Sequence, residues 1–171
     1  GAELDYLTTG LVSTRIAEHW GSLWGICLIV TTCARLIQES AGEDMKAEYL
    51  PRICRGELIP CAAITEPNVG SNPAFIETTI VEADGGFILE GTKTWISNGS
   101  VSDLALVIAS MDRPQGAGGL AGILVDRRQS PYETRELRKL GFTSWSTAEL
   151  FFDRVFVPRE NLVLPPGSGL K

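Results

Sequence analysis

A change of hydrophobic period near Leu58 is the strongest constraint on how this chain can fold. Before that point apolar residues recur at helical spacing; after it they fall in short runs broken by Gly, Pro, Asp and Asn. Leu7, Leu11, Ile16 and Trp20 lead into an apolar run over 23–37. Ser40-Ala41-Gly42-Glu43-Asp44 then closes that helix and caps the next. Met45, Tyr49 and Ile53 continue at helical spacing, with Pro51 expected near a helix start or kink. In the second half, Phe75 to Glu82 and Phe87 to Glu90 flank Asp84-Gly85-Gly86 as a hairpin. Leu104 to Ser110, Leu120 to Asp126 and Ala148 to Asp153 read as further short strands, and Ser110 to Gly119 as a Pro/Gly loop. A helical segment followed by several short antiparallel strands predicts an α+β fold.

Composition removes several function classes. A chain of 171 residues, 44% hydrophobic and 21% charged, is long enough to bury a core. A net charge of −6 leaves no basic stripe to neutralise a nucleic-acid backbone, so no nucleic-acid partner is expected. A polyanionic small ligand would have to be held by local donors against the overall field. Cys27, Cys33, Cys54 and Cys61 are too scattered for a zinc pattern and read as free thiols in a reducing compartment. The apolar stretch from Trp20 to Cys33 is too short to span a bilayer and is interrupted by Gly21, Ser22 and Gly25, so a core helix is expected. With Gly1-Ala2-Glu3 in place of a start methionine, the chain reads as trimmed.

Two segments carry chemistry. Residues 62–71, Ala-Ala-Ile-Thr-Glu-Pro-Asn-Val-Gly-Ser, read as a strand leaving its sheet through a turn. Pro67 stiffens that turn, and Gly70 can take positive φ so that successive N–H groups form an anion nest. In the second segment, Trp95-Ile96-Ser97-Asn98-Gly99, residues two apart share a strand face. Trp95 and Ser97 thus offer a stacking surface and a hydroxyl to one flat ligand. Other polar residues promise less. Lys93 reads as solvated or salt-bridged, Glu66 as a possible solvated turn carboxylate, and His19 as a surface or packed histidine. Arg127-Arg128 and Arg135 to Lys139 read as solvated clusters. With one histidine, no Ser/His/Asp set can be assembled, and no metal site is expected.

Thr65-Glu66-Pro67-Asn68-Val69-Gly70-Ser71-Asn72 resembles the T-E-P-x-x-G-S-D signature of the acyl-CoA dehydrogenase family. Gly91-Thr92-Lys93-Thr94-Trp95-Ile96-Ser97-Asn98-Gly99 resembles its second signature, G-x-K-x-W-I-[ST]-N. Tyr49-Leu50-Pro51, Lys139-Leu140-Gly141 and Val155-Phe156-Val157-Pro158 are similar to flanking family stretches. The resemblance implies that 1–58 is part of an N-terminal helical domain and 59–163 a middle antiparallel β-barrel domain. Residues 164–171 would start a linker to a C-terminal helical domain beyond Lys171. FAD is the implied cofactor. Trp95 would pack on the flavin, with Ser97 and its main chain near flavin N5. Ile64 and Thr65 would contact the pyrimidine side, with Ala62 and Ile96 in the same site. Gly70 and Ser71 would line the pyrophosphate and the acyl-thioester entrance, which makes Ser71 substrate-binding too. Asn72 stands where the family usually has Asp.

The implied reaction is α,β-dehydrogenation of an acyl-CoA thioester: a base removes the Cα proton and hydride leaves Cβ for flavin N5. That base is a glutamate expected beyond Lys171, so no catalytic residue is named here. Related flavoenzymes acting on acyl-carrier-protein thioesters or as oxidases, and a catalytically incomplete fragment, remain open. The resemblance also implies an electron-transfer flavoprotein or similar acceptor, a homotetramer or homodimer, and a bacterial cytoplasmic or mitochondrial matrix location. Some stretches are similar to the glutaryl-CoA dehydrogenase branch, which holds a distal carboxylate with an arginine on the long apolar helix. Between Arg15 and Arg35 this chain has no arginine or lysine, and Gly25 stands near the expected place. A neutral acyl chain or an unusual acyl group is therefore expected, with Trp20 and Trp24 either narrowing its pocket or belonging to the core.

Overall fold

Asp5 starts the helical half by accepting the Thr8 amide at 2.7 Å, and α1 runs over Tyr6–His19. The computed structural model describes residues 4–168, so the first three and last three residues of the expected domain ranges lie outside the described residues. Extended backbone at Trp20 separates α1 from α2 (Gly21–Ser40), and α3 (Glu43–Cys54) follows across Ala41-Gly42. Glu43 and Asp44 occupy the first turn of α3, where the helix dipole favours negative charge. Pro51 lies inside α3 near its end, not at its start, and Arg55 closes the helix. At 20 residues, α2 is longer than the apolar run suggests and could cross a bilayer by length and composition alone. Its Ile37 packs with Met45, Tyr49 and Ile53 of α3 against the sheet.

Eight strands follow: β1 (Pro60–Ala63), β2 (Thr79–Ala83), β3 (Gly86–Ser97), β4 (Leu104–Ser110), β5 (Leu120–Asp126), β6 (Glu133–Glu136), β7 (Thr147–Pro158) and β8 (Leu162–Leu164). Their order is β6-β7-β3-β2-β4-β5-β8, with β1 paired to β4. This corrects the expected antiparallel barrel: the sheet is mixed and does not close. β1 runs parallel to β4 from Pro60↔Leu104 to Ala63↔Val107, and β2 touches β4 through one parallel pair, Thr79↔Ser110. A parallel pair needs a long crossover, which the 64–78 turn and the β2–β3 hairpin supply. The Asp84-Gly85-Gly86 hairpin signal could not reveal it. The segment read as a strand from Phe75 instead begins with a short 3-10 turn, Pro73–Phe75, capped by Asn72, and β2 starts only at Thr79.

Strands β4 and β5 explain where the core lies. Every residue of both is buried, because each strand is covered on two faces. Ala105, Val107, Ile123 and Val125 face a cluster shared with Phe87, Leu89, Leu150 and Phe152, around which the sheet curls. Leu104, Leu106 and Leu124 face the helices and pack with Ile37, Tyr49 and Ile53. Tyr49 adds a polar tie, donating from its hydroxyl to the fully buried Asp126 at 3.3 Å. Asp126 is also gripped by Arg128, which corrects the reading of that arginine as merely solvated.

Burial differs sharply between the helices: α1 buries none of its residues, whereas Ile37 of α2 is 1% exposed. Ile37→Ala should therefore cost about 2–5 kcal/mol in urea unfolding, while Leu11→Ala should stay within about 0.5 kcal/mol. Similar losses for the two would contradict this placement of the core.

Candidate functional site

The first signature leaves the sheet after Ala63 and folds back at once. Glu66 N–H donates to Val69 O at 2.9 Å and Val69 N–H donates to Glu66 O at 3.2 Å, with Pro67 at the second turn position that its fixed φ suits. Asn72 then accepts the Ala74 amide at 3.2 Å. Gly70 does not adopt the positive φ expected of it; that conformation is held by Gly56, Gly85, Gly91, Gly116 and Gly167. Gly70 and Ser71 are exposed, and a Cβ at Gly70 would meet nothing within 4 Å. The backbone there is open to a ligand without left-handed geometry.

The second signature lies on β3, which is interrupted by a bulge. Lys93 pairs with Leu150 but Ile96 with Ala148, so β3 spends one more residue than β7 over this step. The extra residue falls at Trp95, whose φ of 58° is left-handed. For a bulky side chain that conformation is an outlier and concentrates at functional sites. Trp95 is 62% exposed and Ser97 half-buried, on either side of Ile96, which is buried in the core. Trp95 and Ser97 are thus both accessible, although the bulge interrupts the plain alternation from which a shared face was expected. Ile96 can offer a ligand only its main chain.

A buried ion pair joins the two signatures. Lys93 Nζ lies 2.8 Å from Glu66 Oε1, with side-chain exposures of 0% and 1%. Lys93 also donates to Ile64 O at 2.9 Å. Glu66 accepts the amides of Glu77 at 2.6 Å and Thr78 at 2.9 Å. One residue after Lys93 and one before Glu66, Thr94 N–H donates to Thr65 O at 2.9 Å. Burial pushes the Glu66 carboxyl up, but the Lys93, Thr78 and Glu77 donors more than offset it, so it titrates below its ordinary 4.5. Burial pushes the Lys93 ammonium down to about 8, with Glu66 opposing the fall. Both groups are therefore charged at neutral pH, and Glu66 is not the solvated turn carboxylate it could have been. The sequence held a signal for this: each signature carries one charge, of opposite sign.

The remaining residues sort by burial. Ala62 lies in β1, half-buried, opposite Leu106; Ile64 is 39% exposed and Thr65 half-buried at the strand exit. Trp20 is exposed and lines an apolar groove with Leu11, Val12, Ile16 and Leu23, which includes neither signature. His19 is exposed and bonded to the Arg15 carbonyl. Asn98 and Trp145 were not singled out by sequence. Asn98, at φ 64° and 1% exposed, donates to Pro60 O at 3.3 Å and accepts from Trp145 Nε1 at 2.8 Å. Beside them lies a cleft of about 480 Å³ lined by Ile26, Asn98, Ser100, Val101, Glu136 and Ser144. Glu136 in that cleft accepts from Ser146 Oγ at 2.9 Å and the Thr147 amide at 3.0 Å, and also from Ser100 Oγ.

Together these features define a β domain, flanked by helices, that presents an open aromatic and hydroxyl surface to a flat ligand. The chain matches the acyl-CoA dehydrogenase N-terminal domain over residues 1–57 and the acyl-CoA dehydrogenase middle domain over residues 61–155. It belongs to the acyl-CoA dehydrogenase family, whose members are flavin oxidoreductases. Glutaryl-CoA dehydrogenase of Desulfococcus multivorans is 32% identical over 173 residues, covering 100% of this chain and 44% of that protein. A glutaryl-CoA dehydrogenase from Mycobacterium smegmatis, solved in complex with FADH2, superposes with a TM-score of 0.90 at 31% identity, over 99% of this chain and 43% of that one. The prolyl acyl carrier protein oxidase AnaB superposes with a TM-score of 0.88 at 28% identity, over 99% of this chain and 46% of that one. The chain thus spans less than half the length of each of these proteins.

Removing one member of the buried pair should strand the other. Lys93→Met is expected to lose about 3–5 kcal/mol in urea unfolding, and the Glu66→Gln/Lys93→Met double variant to regain at least half of that. A loss of under about 1 kcal/mol in the single variant would show that the pair holds nothing together. The acid limb gives a second check. Because the folded Glu66 carboxyl is depressed, its stabilisation is present above its ordinary 4.5 and is lost as pH falls through the folded value. The melting temperature of the wild type should therefore drop more steeply below that pH than that of the double variant.

Proposed function

We propose that this chain is the flavin-facing part of an enzyme that dehydrogenates acyl thioesters with FAD. The observation that carries the reading is Trp95: a left-handed, 62% exposed indole beside the Thr65 exit. A large exposed aromatic held in strained backbone fits a surface that a ring system covers. The residues present fit FAD. Trp95 supplies the stacking face, Ser97 a hydroxyl at the ring edge, and Ile64 with Thr65 the opposite contact. The open Gly70-Ser71 backbone and the Ser71 hydroxyl suit the pyrophosphate and thioester entrance, and Ala62 and Ile96 support the site from their strands.

FAD, when bound, supplies the acceptor for the hydride leaving Cβ of the thioester. This chain's own contribution is placement and donors, fixed in advance by the Glu66–Lys93 pair. The base that takes the Cα proton lies outside these residues in our reading. Glu66 is held by Lys93 and two amides, and Glu136 by two hydroxyls and an amide. Free thiols at Cys27, Cys33, Cys54 and Cys61 fit a reducing location, bacterial cytoplasm or mitochondrial matrix. An electron-transfer flavoprotein would be a fitting acceptor, and a homo-oligomer a fitting assembly.

The likeness to the prolyl acyl carrier protein oxidase supports a second reading, in which the thioester rides on a carrier protein and oxygen reoxidises the flavin. Anaerobic flavin bleaching by acyl-CoA, compared with acyl-carrier protein, separates the two. In the full-length gene product, Trp95→Ala should weaken FAD binding by about 3- to 10-fold, followed by flavin fluorescence on reconstitution of the apoprotein. Unchanged affinity would remove Trp95 from the site.

A further inference from the structure

The long helix α2 carries two glycines one turn apart, Gly21 and Gly25, and both are filled from outside. A Cβ on Gly25 would stand 2.2 Å from Cζ3 of Trp145 and 2.4 Å from Cε3, so the indole lies directly on the helix backbone. A Cβ on Gly21 would stand 3.0 Å from Cε1 of Phe142. Phe142, left-handed at φ 51°, meets the Trp145 ring edge-on, with centroids 6.0 Å apart at 78°. Two rings from the loop between β6 and β7 thus occupy a notch that only glycines leave open.

Trp145 is held from several directions. Its indole N–H donates to Asn98 Oδ1 at 2.8 Å, and its own amide donates to Phe142 O at 3.0 Å. Lys139 Nζ donates to its carbonyl and lies 5.9 Å from the ring centroid. Asn98 is anchored in turn by its amide on Ser146 O at 2.9 Å and its side chain on Pro60 O. The ring is therefore a fixed wall, bonded to the residue that follows Ser97 and wedged between α2 and the end of β3.

Resting on the dehydrogenase reading above, we propose that Trp145, seated on Gly25 and locked to Asn98, is a specificity-determining residue that restricts the site to a short, uncharged acyl group. Hydride transfer requires Cβ within about 3–3.5 Å of its acceptor, which that reading sets beside Ser97. A long chain running on from Cβ toward α2 then meets the indole. A distal carboxylate fares worse than a longer alkyl chain. Residues 16–34 carry no lysine or arginine, Lys139 is committed to Trp145 and Thr147, and the neighbouring cleft presents the Glu136 carboxylate.

Two measurements on the full-length, flavin-loaded protein test this. Calorimetry of the wild type with S-butyl- and S-octyl-coenzyme A, thioethers that cannot be dehydrogenated, should give about 10-fold or tighter binding of the butyl compound. In Trp145→Ala, the octanoyl-to-butyryl ratio of kcat/KM should rise by about 10-fold or more, carried by KM. If that variant does not fold, Trp145→Phe should move the ratio the same way by less. Equal binding of the two thioethers, or an unmoved ratio in a variant that keeps its flavin, overturns the proposal and leaves the dehydrogenase reading standing. Failure of every acyl thioester to bleach wild-type flavin overturns that reading, and the proposal with it.

Discussion

The buried contact between Glu66 and Lys93 is what the candidate site depends on. It joins a turn that departs from the sheet to a strand whose pairing has been broken by a bulge. Both charges are cut off from water, so each needs all of its partners. Lys93 uses the carboxylate and the Ile64 carbonyl, and Glu66 uses the ammonium and two amides. Such an arrangement adds little net stability over apolar residues of the same volume, yet it tolerates few alternative geometries. Its effect is to set where Thr65 lies relative to Trp95.

With that distance set, the strain at Trp95 has a structural logic. The bulge turns the indole outward while Ile96 stays in the core, so one strand supplies both a ligand face and a packing face within three residues. The same economy recurs at the far end of the strand. Asn98 takes a left-handed conformation, ties to Pro60, and offers its carbonyl oxygen to Trp145. The surface read as a flavin platform is therefore braced at one end by an ion pair and at the other by an amide. The helical layer reaches it through Gly25 and Trp145, which ties α2 to the end of β3.

Much of this was legible in residue order and some was not. The helices, the hairpin at Asp84-Gly85-Gly86 and the strands at 104–110 and 120–126 followed from period and turn chemistry. These signals are local, and local signals survive without knowledge of the partner. The bulge at Trp95 was not legible, because it is set by the register of β3 against β7. The parallel β1–β4 pairing was not, because a crossover depends on which distant segments meet. Gly70 misled because a glycine permits positive φ without requiring it. The salt-bridged alternative for Lys93 was legible but its partner, 27 residues back, was not; Arg128 misled because a loop arginine is ordinarily solvated, and only the burial of its neighbour Asp126 reverses that.

The sequence by itself determined the class of chain, a helical segment feeding a sheet with two signatures of the acyl-CoA dehydrogenase family, because periodicity, turn residues and short motifs are properties of contiguous residues. Only the tertiary structure decided that the sheet is mixed and open, that the charges of the two signatures meet in the core, and that an indole from the β6–β7 loop lies on a helix glycine. Each of those depends on desolvation and contact between residues tens or more positions apart, and neither quantity exists until the chain has folded.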